Sequence, residues 1–146
     1  MIEEGTQAPD FELTSDDGST VRLSELRGKP VVLYFYPKSD TPGCTRQACG
    51  IRDVWGELEQ RGAVVLGVSA DTKERQEKFK AKYRLPFTLL ADPDGVAGEA
   101  YGVTKPDGGG FERSTFLIDS SGNVASIMRR VKPDEHAQQV LDRLPA

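Results

Sequence analysis

The sequence predicts an α/β fold: a central mixed β-sheet flanked by helices, with a short N-terminal β extension, spanning residues 1–146 as one domain. Three observations carry this prediction. Val31-Val32-Leu33-Tyr34-Phe35-Tyr36 and Val64-Val65-Leu66-Gly67-Val68 are apolar on both alternating faces, as strands covered by helices on both sides must be. Between them, Ala48, Ile51, Trp55 and Leu58 recur at helical spacing, which completes a βαβ unit. Near the end, Ser114–Asp119 and Val124–Met128 flank Ser120-Ser121-Gly122-Asn123, the signature of a hairpin with a glycine turn.

The elements follow in order. Phe11–Leu13 and Thr20–Leu23 form a short N-terminal strand pair ahead of the first central strand. The helix after that strand carries Cys44 one turn before Ala48 on the same face, and Gly62 is its C-terminal stop. Asp71-Thr72-Lys73-Glu74 reads as a variant capping box opening a second helix, with Phe79 and Tyr83 on one face and Pro86 as its end. Phe87–Leu90 is a third strand, and after the turn signal Asp92-Pro93-Asp94-Gly95 a short helix covers Ala97–Tyr101. Beyond the hairpin, Pro133 opens a last helix with Ala137, Val140, Leu141 and Leu144 on one face. There is no internal repeat; the longest flexible stretch is Lys105-Pro106-Asp107-Gly108-Gly109-Gly110.

Composition excludes several function classes. At 146 residues and 37% hydrophobic content the chain can bury one core. A net charge of −4, a pI near 5.1 and no basic run longer than Arg129-Arg130 argue against a nucleic-acid partner. The N-terminus has neither a basic start nor an apolar core, and no segment approaches the length of a membrane span, so a cytoplasmic protein without membrane contact is expected. Two cysteines do not staple a chain of this length; in a reducing compartment they point to redox or catalytic work.

Those two, Cys44 and Cys49, lie in Pro37-Lys38-Ser39-Asp40-Thr41-Pro42-Gly43-Cys44-Thr45-Arg46-Gln47-Ala48-Cys49, where strand gives way to helix. A helix N-terminus offers unpaired N–H groups and the positive end of the macrodipole, and a thiol there ionises more easily. Cys44 is therefore a candidate nucleophile.

With these residues in view the chain resembles the peroxiredoxin family, and within it the bacterioferritin-comigratory or peroxiredoxin Q branch. The pattern P-x-x-x-T-x-x-C is present as Pro37, Thr41 and Cys44, and Cys44 with Cys49, followed by Gly50 and Arg52-Asp53, looks like that branch's peroxidatic and resolving pair. Gly5–Phe11 is similar to the family's opening, Leu66–Asp71 to its second central strand, and Arg113–Asp119 to its late strand bearing the active-site arginine. The stretch Thr104–Glu112 is shorter than in related chains and carries three glycines. The resemblance implies a thioredoxin-like fold and a thiol peroxidase that needs no metal or organic cofactor. It also implies a monomer reducing hydrogen peroxide and organic hydroperoxides, recycled by thioredoxin or a similar dithiol.

Each implied residue has a chemical task. Arg113 would favour the Cys44 thiolate and polarise the peroxide, and the Thr41 hydroxyl would hold a sulfur or peroxide oxygen in line. The N–H groups of Gly43 and Cys44 would face the leaving oxygen, while Pro37 and Pro42 stiffen the loop and limit water. Taken singly, Pro37 only ends a strand, Thr41 only caps a helix, and Arg113 is only a solvated charge. On a regular helix, five residues from Cys44 to Cys49 give a Cα separation of roughly 8–9 Å. A disulfide takes no more than ~7 Å, so the helix must open locally, eased by Gly43 and Gly50. The competing readings are a thiol–disulfide oxidoreductase, which ordinarily uses C-x-x-C, and a redox sensor that remodels a surface through the same pair. His136, the sole histidine, reads as a surface residue far from the cysteines, a Cys/His zinc site is disfavoured by the spacing, Trp55 reads as core, and Tyr34 and Tyr36 read as sheet residues.

Overall fold

A computed structural model describes residues 2–107 and 110–144. Its elements are β1 (Glu12–Ser15), β2 (Thr20–Arg22), a 3₁₀ turn (Leu23–Leu26), β3 (Val31–Phe35), α1 (Pro42–Asp53), α2 (Trp55–Gln60), β4 (Val64–Ser69), α3 (Lys73–Tyr83), β5 (Thr88–Ala91), α4 (Val96–Ala100), β6 (Ser114–Ile118), β7 (Val124–Met128) and α5 (His136–Arg143). The strands form one seven-stranded sheet in the order β2-β1-β5-β4-β3-β6-β7. β3, β4 and β5 pair in parallel, and every other pairing is antiparallel.

Both apolar runs are central strands, and their alternation divides the core in two. Val32 and Tyr34 of β3 face a layer with Cys44, Ala48 and Ile51 of α1, Leu58 of α2, Phe79 of α3 and Val140 of α5. Val31, Leu33 and Phe35 face the opposite layer, with Ala97 of α4, Tyr101, Phe111, Phe116 and the N-terminal Phe11. A period of two places successive side chains on opposite faces of a strand, so a run with no polar position requires both faces covered.

The structure corrects four expectations. The helix carrying Cys44 is two: Val54 leaves helical geometry (φ −108°, ψ 16°), ending α1 there, and Trp55 on α2 packs half-buried against the core. The cap of α3 is Thr72 itself, whose Oγ1 accepts from Arg75 N at 3.3 Å, while Asp71 is drawn into the loop described below; the helix stops at Arg84, in left-handed geometry, ahead of Pro86. The last helix starts at His136, since Pro133–Glu135 form only a turn. Most consequential, His136 is wholly buried at the start of α5. Of the expected flexible stretch, Gly108 and Gly109 lie outside the described residues; around them Thr104 bridges Phe111 antiparallel and Lys105 N donates to Gly110 O at 2.9 Å.

Candidate active site

The site lies beyond the carboxyl end of β3, where open α/β sheets gather their ligand-binding groups. The chain leaves β3 through Tyr36 and Pro37, turns through Ser39–Thr41 and enters α1 at Pro42. This turn is tied down at several points. Ser39 donates through both its N–H (2.7 Å) and its Oγ (2.8 Å) to Asp71 Oδ2, which also receives Ser69 Oγ at 2.7 Å. Ser39 Oγ lies 2.9 Å from Gln76 Oε1, to which the Tyr36 hydroxyl also donates, and Gln76 Nε2 donates to Leu90 O at 2.8 Å. Asp40 adopts φ +59°, and its carboxylate accepts from Lys82 Nζ (2.9 Å) and Tyr83 OH (2.8 Å), bonds that hold it below the ordinary carboxylate range. Gly110 lies over Pro37: a Cβ there would sit 2.9 Å from Pro37 O, at a φ of +95° that a side chain rarely adopts. The turn preceding Cys44 is thus braced by α3 on one side and Gly110 on the other.

Thr41 is the N-cap residue of α1 and Pro42 its first helical residue. The Thr41 hydroxyl donates to Lys38 O at 2.9 Å and makes no cap bond, so the first-turn N–H groups of Gly43 and Cys44 have no capping side chain. Cys44 follows, 2% exposed; Cys49 is half-buried farther along the same helix, and both thiols are free.

Arg113 arrives through the sheet. β6 runs antiparallel to β3 with Phe35 opposite Ser114, so the residue before β6 stands at the end of β3 where α1 begins. Arg113 Nη1 lies 3.4 Å from Cys44 Sγ and donates to Gln47 Oε1 at 2.7 Å. Glycine at position 43 makes room for it, since a Cβ there would lie 3.0 Å from Nη2. Cys44, Thr41, Arg113 and the Pro37 turn therefore gather at one helix N-terminus, while Cys49 stands apart from them on α1.

Two residues were not anticipated. Gln47, completely buried, lies one turn beyond Cys44 and links Arg113 to His136 through a 3.2 Å contact between its Nε2 and His136 Nδ1. His136 Nε2 lies 2.7 Å from Thr115 Oγ1, and the ring packs 5.4 Å from that of Tyr34. Burial, with Arg113 adding to it, pushes the imidazole down to about 3. The sequence did hold a signal for both: Gln47 is at i+3 from Cys44, and His136 and Val140 fall at i and i+4, on the inward face of α5. Among the described residues, no group of three or more His, Cys, Asp or Glu side chains is placed to share a metal ion, and no helix is long and apolar enough to cross a membrane.

Comparison with known proteins agrees with this architecture. Residues 5–127 match the AhpC/TSA family. Peroxiredoxin Bcp of Bacillus subtilis is 46% identical over 149 residues, covering 98% of this chain and 95% of that protein. The crystal structure of peroxidoxin BcpB from Mycobacterium tuberculosis superposes with a TM-score of 0.91 at 35% identity, over 98% and 96% of the two chains. The bacterioferritin comigratory protein of Xanthomonas campestris, seen in trapped intermediate and ligand complexes bearing on its alkyl peroxide reduction activity, superposes at 0.89 with 34% identity over 96% of each chain. The expected thioredoxin-like fold is the fold of these structures.

Proposed function

The chain belongs to the AhpC/TSA family, within the Bcp and peroxiredoxin Q group, and we propose that it is a thiol peroxidase reducing hydrogen peroxide and organic hydroperoxides through Cys44. The observation that carries this reading is the guanidinium of Arg113, 3.4 Å from a buried thiol at an uncapped helix N-terminus. A cation and a helix dipole both favour the thiolate over the thiol.

The Cys44 thiolate attacks one peroxide oxygen and the O–O bond breaks. The other oxygen leaves with the bonding pair, takes a proton and departs as water or an alcohol, and Cys44 is left as a sulfenic acid. Charge thus moves from sulfur to the leaving oxygen within reach of the same donors, Arg113 and the N–H groups of Gly43 and Cys44. The Thr41 hydroxyl, its proton committed to Lys38 O, keeps lone pairs to accept from a peroxide O–H. Pro37, whose carbonyl lies close beneath Gly110, stiffens the backbone of the turn.

Cys49 resolves the intermediate. Its thiol attacks the Cys44 sulfur, releases water and forms a disulfide, which thioredoxin or a similar dithiol then reduces by exchange. The two cysteines share one regular helix, so α1 must open between them, and the cycle is complete within one chain as a monomer in a reducing compartment such as the cytoplasm. The test is peroxide consumption driven by thioredoxin and its reductase, beside Cys44→Ser. Turnover that vanishes in the variant supports the proposal. Turnover that persists places the chemistry elsewhere, and a protein that oxidises without turning over is a redox sensor.

A further inference from the structure

We propose that His136, through Gln47, is a positioning residue that holds Arg113 against Cys44, with Thr115 fixing the tautomer in which it does so. The proposal rests on the reading of Cys44 as nucleophile. Four contacts run in series: Thr115 Oγ1 to His136 Nε2 (2.7 Å), His136 Nδ1 to Gln47 Nε2 (3.2 Å), Gln47 Oε1 to Arg113 Nη1 (2.7 Å) and Arg113 Nη1 to Cys44 Sγ (3.4 Å). Thr115, His136 and Gln47 are completely buried, so no solvent can replace a lost partner.

The donors and acceptors in this series permit one arrangement. A guanidinium only donates, so Gln47 must turn its carbonyl oxygen to Arg113, which leaves its amide NH₂ for His136. Nδ1 then has to accept, and the imidazole proton sits on Nε2, where it is donated to Thr115 Oγ1. A proton on Nδ1, in the other tautomer or the imidazolium, would confront the Gln47 NH₂ with a donor. The amide could answer only by turning its NH₂ toward Arg113, two donors would face one another, and the guanidinium would lose its support at Cys44. Burial of the ring beside Arg113, which holds it neutral, acts in the same direction. Packing alone would not need an imidazole: the contact with Tyr34, 5.4 Å between centroids, would accept any ring of that size.

The experiment measures the rate of sulfenic acid formation on Cys44 with hydrogen peroxide in the whole protein and in His136→Phe, His136→Asn, Gln47→Ala and the double variant Gln47→Ala/His136→Phe. Phenylalanine keeps the ring and loses both nitrogens, so the rate should fall about tenfold, because small displacements of a positioned group cost this much or more. Asparagine presents an oxygen where Nδ1 stood and should recover most of the loss. In the Gln47→Ala background, His136→Phe should cost nothing further, since a residue acting through another is silent once that other is gone. Equal losses in both backgrounds, or no recovery by asparagine, would make His136 a packing residue and overturn the proposal. Should His136→Phe not fold, nitrogen NMR of the unmodified protein decides: the sole histidine must show the neutral Nε2–H tautomer at neutral pH, and a protonated Nδ1 refutes the relay. Wild-type Cys44 inert to peroxide would remove the peroxidase reading and this proposal together. A reactive wild type matched by His136→Phe would remove this proposal alone.

Discussion

Replacing Arg113 by alanine takes away the one cation in hydrogen-bonding contact with Cys44 Sγ among the described residues. At 3.4 Å, a unit charge and a thiolate attract by about 1.2 kcal/mol at the dielectric constant of water and about 4.9 kcal/mol at an effective value of ~20. Arg113 is half-buried against a buried sulfur, so the loss falls between these limits. Only the share felt more strongly by the transition state, where charge passes to the leaving oxygen, reaches the rate, so the second-order rate of peroxide attack should fall by at most roughly tenfold to a thousandfold. The assay is rapid mixing with hydrogen peroxide under single-turnover conditions, followed by trapping of the sulfenic acid, so that recycling by a dithiol does not enter the rate. Arg113→Lys should fall between wild type and alanine. It keeps the charge but cannot reproduce a planar fork lying beside Gly43 and donating to Gln47 Oε1. An Arg113→Ala rate within twofold of wild type would refute the electrostatic argument and leave Arg113 a surface charge.

Cys49→Ser should still reduce one equivalent of peroxide, lose recycling by thioredoxin and over-oxidise at Cys44 more readily, as mass spectrometry would read directly. In the unmodified protein, one equivalent of peroxide should give a Cys44–Cys49 bond within one chain and faster amide exchange across residues 42–50; an interchain bond or an oxidised α1 as protected as the reduced one would count against local opening. His136 predicts an acid sensitivity. Its folded-state value of about 3 lies below the ordinary 6.5, so between them the unfolded chain binds the proton that the folded one refuses. Its contribution is complete above about 6.5 and is lost as pH falls toward 3, on the order of 5 kcal/mol in all. Urea midpoints followed over that window should fall more steeply in wild type than in His136→Phe, the difference isolating this group from the carboxylates; parallel slopes would show that His136 does not titrate as stated.

The sheet was legible because its signals are local. Val31–Tyr36 and Val64–Val68 need both faces covered whatever surrounds them, and the Gly122 turn between β6 and β7 is written in four consecutive residues. Cys44 was legible for the same reason, since a thiol after Pro42 and Gly43 at a strand-to-helix junction depends on nothing distant. Arg113 came only with the family resemblance. Its place beside Cys44 is set by the register of β6 against β3, which pairs Phe35 with Ser114 across a gap that no local pattern spans. His136 was misread by distance along the chain: α5 folds back onto α1, and a buried imidazole satisfied by an amide and a hydroxyl looks, in sequence, like any polar residue opening a helix. The Ser39–Asp71–Gln76 brace was missed because its members come from three separate elements, and Asp71-Thr72 carries an equally good local explanation as a helix start.

Gln47 sits between the two cysteines, with its side chain committed to Arg113 on one side and His136 on the other. In the proposed cycle this makes the two halves of catalysis mutually exclusive in time. While α1 is wound, Gln47 supports the guanidinium and Cys44 can attack; once α1 opens far enough for Cys49 to reach the sulfur, Gln47 has let go and the site is disarmed. In that cycle the lifetime of the sulfenic acid includes the time α1 takes to open as well as the time Cys49 takes to attack. That lifetime defines a dose threshold: below it, each oxidised molecule unwinds before meeting another peroxide, and above it a second peroxide arrives first and the protein is spent.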